Sequence, residues 1–131
     1  MGNPAAKQGD MIVATDIHIV MIPSPGGPIP TPLPHPFTGQ LDGQLSTDVM
    51  IEGKPAATQG STATNSPAHI PQGGPFQSPP KNRGEIMLGS ATVMVNGKPL
   101  ARAGDTALTC NDPADLPSGT VIAVGTVLAG G

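Results

Sequence analysis

Apolar residues along this chain come in short runs cut by glycine, proline and small polar residues. The segments DVMIEGK (48–54), TVMVNGK (92–98) and GTVIAVGTVLAG (119–130) are of this kind. Runs of this length between turn residues read as short strands, and Asn96-Gly97, set between apolar arms, is a strong hairpin signal. The pattern predicts an all-β chain.

The strands belong to a repeated phrase. PAAKQGD at Pro4–Asp10 is followed by KPAATQGS at Lys54–Ser61 and KPLARAGD at Lys98–Asp105. Aligned on Gly9, Gly60 and Gly104, the phrases are 51 and 44 residues apart, which is too uneven for a solenoid. They define three units, around 4–10, 46–61 and 90–105, within one domain of 131 residues. The second and third units read strand, turn, strand, arm; the first begins at its arm. The apolar run Thr120–Leu128 follows no arm. A closed three-unit arrangement, in which this C-terminal run supplies the strand that unit one lacks, would tie down both termini and remove a sheet edge.

Two stretches interrupt the pattern. Pro23–Pro36 carries seven prolines, and Asn65–Glu85 is rich in Pro and Gly. Both are expected to be ordered, extended loops wrapped over the β units.

Composition narrows the function. With 18 Gly, 17 Pro and two Phe as the only aromatics, the core must be thin, so a metal, an oligomer or a partner surface is needed to complete it. Net charge is −3 and the six Lys and Arg are scattered, which excludes a nucleic-acid binder's basic face. The N-terminus lacks the basic and apolar regions of a secretory signal. The longest apolar stretch, Val121–Leu128, is too short to span a bilayer. A chain of this type is expected to be made in the cytoplasm and carried out by other means.

The chain holds three histidines and one cysteine. His18 and His69 each lie nine residues past their arm's glycine, and Cys110 lies six past Gly104. Around a pseudo-threefold axis, the loops after the arms would bring these side chains to one place, with His35 as a fourth. Three imidazoles and a thiolate suit one tetrahedral, structural Zn²⁺ with no open position. The ligands are separated by 17, 34 and 41 residues, so binding would close long loops. Two rival readings remain: a Cys–His nucleophile pair at Cys110, and a metal-free β-rich adhesive or structural protein.

The arms Pro4-Ala5-Ala6-Lys7, Pro55-Ala56-Ala57-Thr58 and Pro99-Leu100-Ala101-Arg102 resemble the Pro-Ala-Ala-Arg motifs of the PAAR-repeat proteins, and the likeness extends over essentially the whole chain. Lys7 and Thr58 stand where the motif has Arg, and Leu100 replaces its first Ala. The resemblance implies a small cone of β-hairpins with pseudo-threefold symmetry and a zinc near its point, held by His18, His35, His69 and Cys110. It further implies a non-enzymatic tip that caps and sharpens a trimeric VgrG-like spike, one tip per trimer, in a type VI secretion system or related contractile injection particle. Such a tip is a monomer on its own, carries effectors non-covalently, touches the target membrane transiently, and is expelled with the apparatus. A chain of this length leaves no room for an effector extension.

Overall fold

The structure, a computed structural model, describes residues 2–112 and 114–130. Its elements, all strands among the described residues, are β1 (Asn3–Pro4), β2 (Met11–Ile22), β3 (Ile29–Gly43), β4 (Met50–Ile51), β5 (Lys54–Pro55), β6 (Thr62–Asn65), β7 (Arg83–Ile86), β8 (Met94–Val95), β9 (Lys98–Pro99), β10 (Thr106–Thr109), β11 (Leu116–Ile122) and β12 (Leu128–Ala129). Six of them close a barrel in the order β10-β11-β2-β3-β6-β7, and the other six pair as β1-β12, β4-β5 and β8-β9. The all-β expectation holds.

The three arms meet in a ring. Ala6 N donates to Ala101 O (2.8 Å), Ala101 N to Ala57 O (3.0 Å) and Ala57 N to Ala6 O (3.0 Å), so the bonds run from unit to unit and return to the start. A second ring links Gln8 N to Pro55 O, Gln59 N to Pro99 O and Ala103 N to Pro4 O. Each arm therefore satisfies its backbone on its two neighbours, which is why one phrase occurs three times. The β-carbons of Ala6, Ala57 and Ala101 lie in the closed centre with no exposed surface.

Further layers repeat this threefold pattern. Leu41, Ile86 and Val121 are buried next to the arms, and Leu41 N, Ile86 N and Val121 N bond to the carbonyls of Asp10, Ser61 and Asp105. Two residues before each of these lies a glycine: Gly39, Gly84 or Gly119. A β-carbon on Gly39 would lie 2.9 Å from Phe37 Cε1, and one on Gly119 would lie 2.9 Å from Thr109 Cγ2. The glycines thus clear space for Phe37 and Ile12, the bulkiest side chains of a thin core. A second apolar cluster, of Ala5, Ile51, Ala56, Val95, Leu100 and Ala129, lies beneath the small hairpins.

The hairpin turns follow the sequence. Glu52-Gly53 and Asn96-Gly97 all have positive φ (51°, 81°, 53° and 78°), as a two-residue turn of the mirror-image type requires. In the first unit β12 pairs with β1, Leu128 opposite Pro4, matching Met50 opposite Pro55 and Met94 opposite Pro99. The run Thr120–Leu128 is divided between two elements, however. Residues up to Ile122 belong to the barrel, and only Leu128–Ala129 pairs with the first arm.

The proline-rich stretch differs from expectation. Pro23–Pro28 forms the connection, but Pro30, Pro32, Pro34 and Pro36 lie within strand β3. They occupy alternate positions, opposite Met21, Ile19, Ile17 and Thr15 of β2. At these positions the pair exchanges no ladder bonds, so the missing proline N–H costs nothing. The N–H groups of Met21, Ile19 and Ile17 point outward instead, to Pro75 O, Asp112 Oδ2 and Asn111 Oδ1. All four prolines face solvent, whereas the alternate residues Thr31, Leu33, His35 and Phe37 face inward. The β2–β3 ribbon consequently extends past the barrel, away from the ring of arms.

Candidate metal centre

The inward face of that ribbon carries the chemistry. Alternation along β2 turns Ile12, Asp16, His18 and Val20 to the inside, and along β3 it turns His35 and Phe37 the same way. His18 and His35 were expected on loops after the arms; they lie on strands. Cys110 follows the last residue of β10, and His69 lies on the loop after β6. His18 is seven residues beyond Met11, so the cluster lies roughly 20 Å along the strand from the arms' end of the barrel.

Three imidazoles, a thiol and a carboxylate converge there. Ring centroids are 4.9 Å apart for His18–His69, 5.5 Å for His35–His69 and 5.6 Å for His18–His35. One donor atom each from Asp16, His18, His69 and Cys110 lies within 4.8 Å of all the others, and all four residues are buried. The structure thus brings all four expected residues to one place, with His35 slightly outside the tightest group, and adds Asp16.

Polar contacts at the edges orient the three rings. His35 Nδ1 lies 2.9 Å from Leu33 O, so it carries the proton and leaves the Nε2 lone pair free. His18 Nδ1 is 3.6 Å from Asp112 Oδ1, an outer carboxylate that is itself fixed by the amide of Ile19. Asn65 Nδ2 stands 3.3 Å from His69 Nδ1, while His69 Nε2 turns to Asp16 Oδ2 at 2.9 Å. A ring backed by a carbonyl, as His35 is, has the usual preparation of a metal-binding histidine, whereas the Asn65 amide donating to His69 Nδ1 places that ring's proton on Nε2, toward Asp16.

The same atoms lack partners in a way that fits a cation. Both ring nitrogens of His18 and Nε2 of His35 are buried without a hydrogen bond among the described residues, an arrangement that is costly unless another group satisfies them. Asp16 is fully buried, and its one ion-pair partner among the described residues is His69. A buried carboxylate with no Lys or Arg beside it requires another source of positive charge. Residues of these types suit a divalent transition metal, zinc foremost.

Ionisation follows burial. Desolvation lowers the His18 pKa, opposed by the Asp112 and Asp16 carboxylates, so the ring is neutral and able to ligate. Burial and the neighbouring Asp16 carboxylate push the Cys110 thiol up to about 11, while the N–H groups of Asn82 and Arg83 pull it down. A thiol held protonated in this way is a weak nucleophile.

Solvent approaches by a cleft of about 620 Å³ whose walls include His18 and Cys110 at its floor and Pro80, Lys81, Asp112 and Asp115 at its rim. Sequence reading had missed Asp16, Asp112 and Asn65. For Asp16 a signal existed: it lies two residues before His18, on the same face of a strand.

The molecule is therefore an all-β protein of three pseudo-equivalent units, closed around an axis at one end and gathering a metal-competent cluster at the other. A family model described as the PAAR motif matches residues 1–113 and 76–131, and the chain belongs to that family. Membership points to a structural protein with a spike-tip role in contractile injection systems. Comparison with curated proteins gives no match.

Proposed function

We propose that this chain caps a trimeric, VgrG-like spike as a single rigid tip, with its ring of arms toward the trimer and its metal centre toward the point. One observation carries the reading. Met50, Met94 and Leu128 occupy equivalent positions opposite the arm prolines and are 56%, 55% and 59% exposed. Three large apolar side chains in equivalent, solvent-facing places suit a partner that offers the same surface three times. One chain of three units can then make the same contact with each spike subunit.

At the other end, His18, His35, His69 and Cys110 would hold a zinc ion. A bound ion would supply cross-linking where the ribbon and loops leave too little apolar surface for a core. A tip of this kind would help the spike pierce a target membrane and carry effectors bound non-covalently, and it would leave the cell with the apparatus.

The test is mixing with the cognate spike, read by native mass. One chain per spike trimer is expected, and the triple variant Met50→Asp, Met94→Asp, Leu128→Asp should remain folded and fail to bind. Three chains per trimer, or undiminished binding by the triple variant, would sink the symmetry reading.

A further inference from the structure

We infer that the prolines of β3 guard a strand edge: they keep the projecting β2–β3 ribbon from adding a strand of a second copy of this chain, and so hold the protein monomeric. The inference requires neither the spike nor the metal.

A two-stranded ribbon that extends past its barrel has two edges to protect. The β2 edge is covered. Pairing with β11 ends at Val13, but further along Ile17 N and Ile19 N bond to the side chains of Asn111 and Asp112, and Met21 N to Pro75 O. The carbonyls of Ile17 and Ile19 accept from Asp112 N and Gln77 N. The β3 edge has no such cover. Its pairing with β6 begins only at Gly39, and no backbone N–H of the described residues bonds to the carbonyls of Pro30, Pro32, Pro34 or Pro36. About 27 Å of strand edge, from Ile29 to Pro36, is therefore open.

The prolines coincide with that opening. Ile17, Ile19 and Met21 turn their backbone groups away from β3, so their partners Pro34, Pro32 and Pro30 turn theirs away from β2, as does Pro36 two residues on. Every residue from 30 to 36 whose backbone meets the free edge is proline, and Thr31, Leu33 and His35, which bond to β2, are not. An incoming strand would find four carbonyls and no donor, with a ring carbon standing where its own carbonyl must come.

No other guard is present on this edge. Edges are commonly blunted by charged side chains, but residues 17–41 include no Asp, Glu, Lys or Arg. The side chains of Ile17, Ile19 and Met21 are only half-buried on the ribbon, so an unguarded edge would lie beside apolar surface. The remaining unpaired edges, those of β4, β8 and β12, are two residues long and too short to template a strand.

The experiment uses the full chain with Pro30→Thr, Pro32→Thr, Pro34→Thr and Pro36→Thr together, which restores four N–H groups in residues suited to a strand. Light scattering after gel filtration should give the mass of one chain for the wild type at every concentration, and twice that mass for the variant at high concentration. Hydrogen exchange locates the contact: the amides of residues 30, 32, 34 and 36 should exchange at least about tenfold more slowly in the dimer than in the dilute variant. The pair Pro30→Thr, Pro36→Thr, which keeps the two central prolines, should stay monomeric. A folded fourfold variant with the mass of one chain throughout, or association that leaves those four amides unprotected, would overturn the inference, as would a wild type that itself dimerises through the ribbon. Should the fourfold variant unfold, Pro32→Thr with Pro34→Thr decides: a folded protein that dimerises more weakly supports the guard, and a folded monomer or a second unfolded protein overturns it, the latter because the prolines would then be holding the ribbon itself.

Discussion

Lys7 Nζ lies 3.2 Å from Asp10 Oδ2, and the same carboxylate oxygen accepts the Lys7 backbone N–H at 3.0 Å. The third arm repeats this arrangement: Arg102 N and its guanidinium both donate to Asp105. In the second arm Thr58 N donates to Ser61 Oγ at 2.9 Å, with no charge involved. The fourth residue of each arm is thus matched to the residue three places on. Lys and Arg face Asp, and Thr faces Ser. The departures of Lys7 and Thr58 from the motif's Arg are alternative solutions of one turn.

That pairing predicts a rescue. Lys7 is buried and also donates to Val124 O at 2.6 Å, so Lys7→Thr alone leaves Asp10 buried without its cation and should cost about 3 kcal/mol. The double variant Lys7→Thr, Asp10→Ser copies the second arm and should regain most of that loss, the remainder reflecting the unpaired Val124 carbonyl. Denaturant unfolding of the two variants checks this. If the double variant is no more stable than the single, the two turns are not equivalent.

The ring of Ala6, Ala57 and Ala101 admits nothing larger. Ala57→Val adds two carbons where three backbones already bond to one another, and overpacking of this kind costs typically about 1–3 kcal/mol. The loss should fall at the upper end, because the closed ring transmits the displacement to both neighbours. An unfolding midpoint within error of the wild type would show that the centre has slack.

The repeat arms, the hairpin turns and the rare His and Cys residues were legible in the sequence because each stands out against its background. Gly53 and Gly97 mark turns by their backbone freedom, and three histidines in 131 residues are few enough to be counted. The proline stretch was misread because proline's lack of a donor matters only at hydrogen-bonded positions, and position depends on register, which exists only once β2 is paired. Asp16 was missed for a different reason. Nine acidic residues look alike in sequence, and its spacing of two from His18 becomes a signal only once that segment is known to be a strand, with Asp16 buried against Thr109 and His69.

Register also makes proline tolerance testable. Pro32→Ala changes an exposed residue at a non-bonded position and should leave stability within about 0.5 kcal/mol. Leu33→Pro, one residue on, removes an N–H that belongs to the ladder opposite His18. It should disrupt the ribbon and abolish metal retention after dialysis, whereas Pro32→Ala should keep its metal. Equal behaviour of the two variants would contradict the register.

Proton linkage provides a test of Cys110 as a ligand. In the metal-free protein the thiol is held neutral, with its pKa raised from 9.0 to about 11. The stability this group contributes is therefore complete below pH 9 and is lost as pH rises from about 9 toward 11. His18 acts at the other end of the scale. Its lowered pKa means that stability is present above the ordinary value of 6.5 and declines as pH falls below it. A metal that takes Cys110 as thiolate must displace the thiol proton, so between pH 7 and 8.5 the apparent zinc association constant should rise about tenfold per pH unit. Cys110→Ser should flatten that slope and weaken binding. In the zinc-loaded wild type, where the sulfur carries no proton, the stability loss above pH 9 should disappear. Calorimetric titrations at several pH values, with unfolding curves of the metal-free and zinc-loaded forms, measure each quantity. A pH-independent association constant over that range would exclude the thiolate from the ligand set.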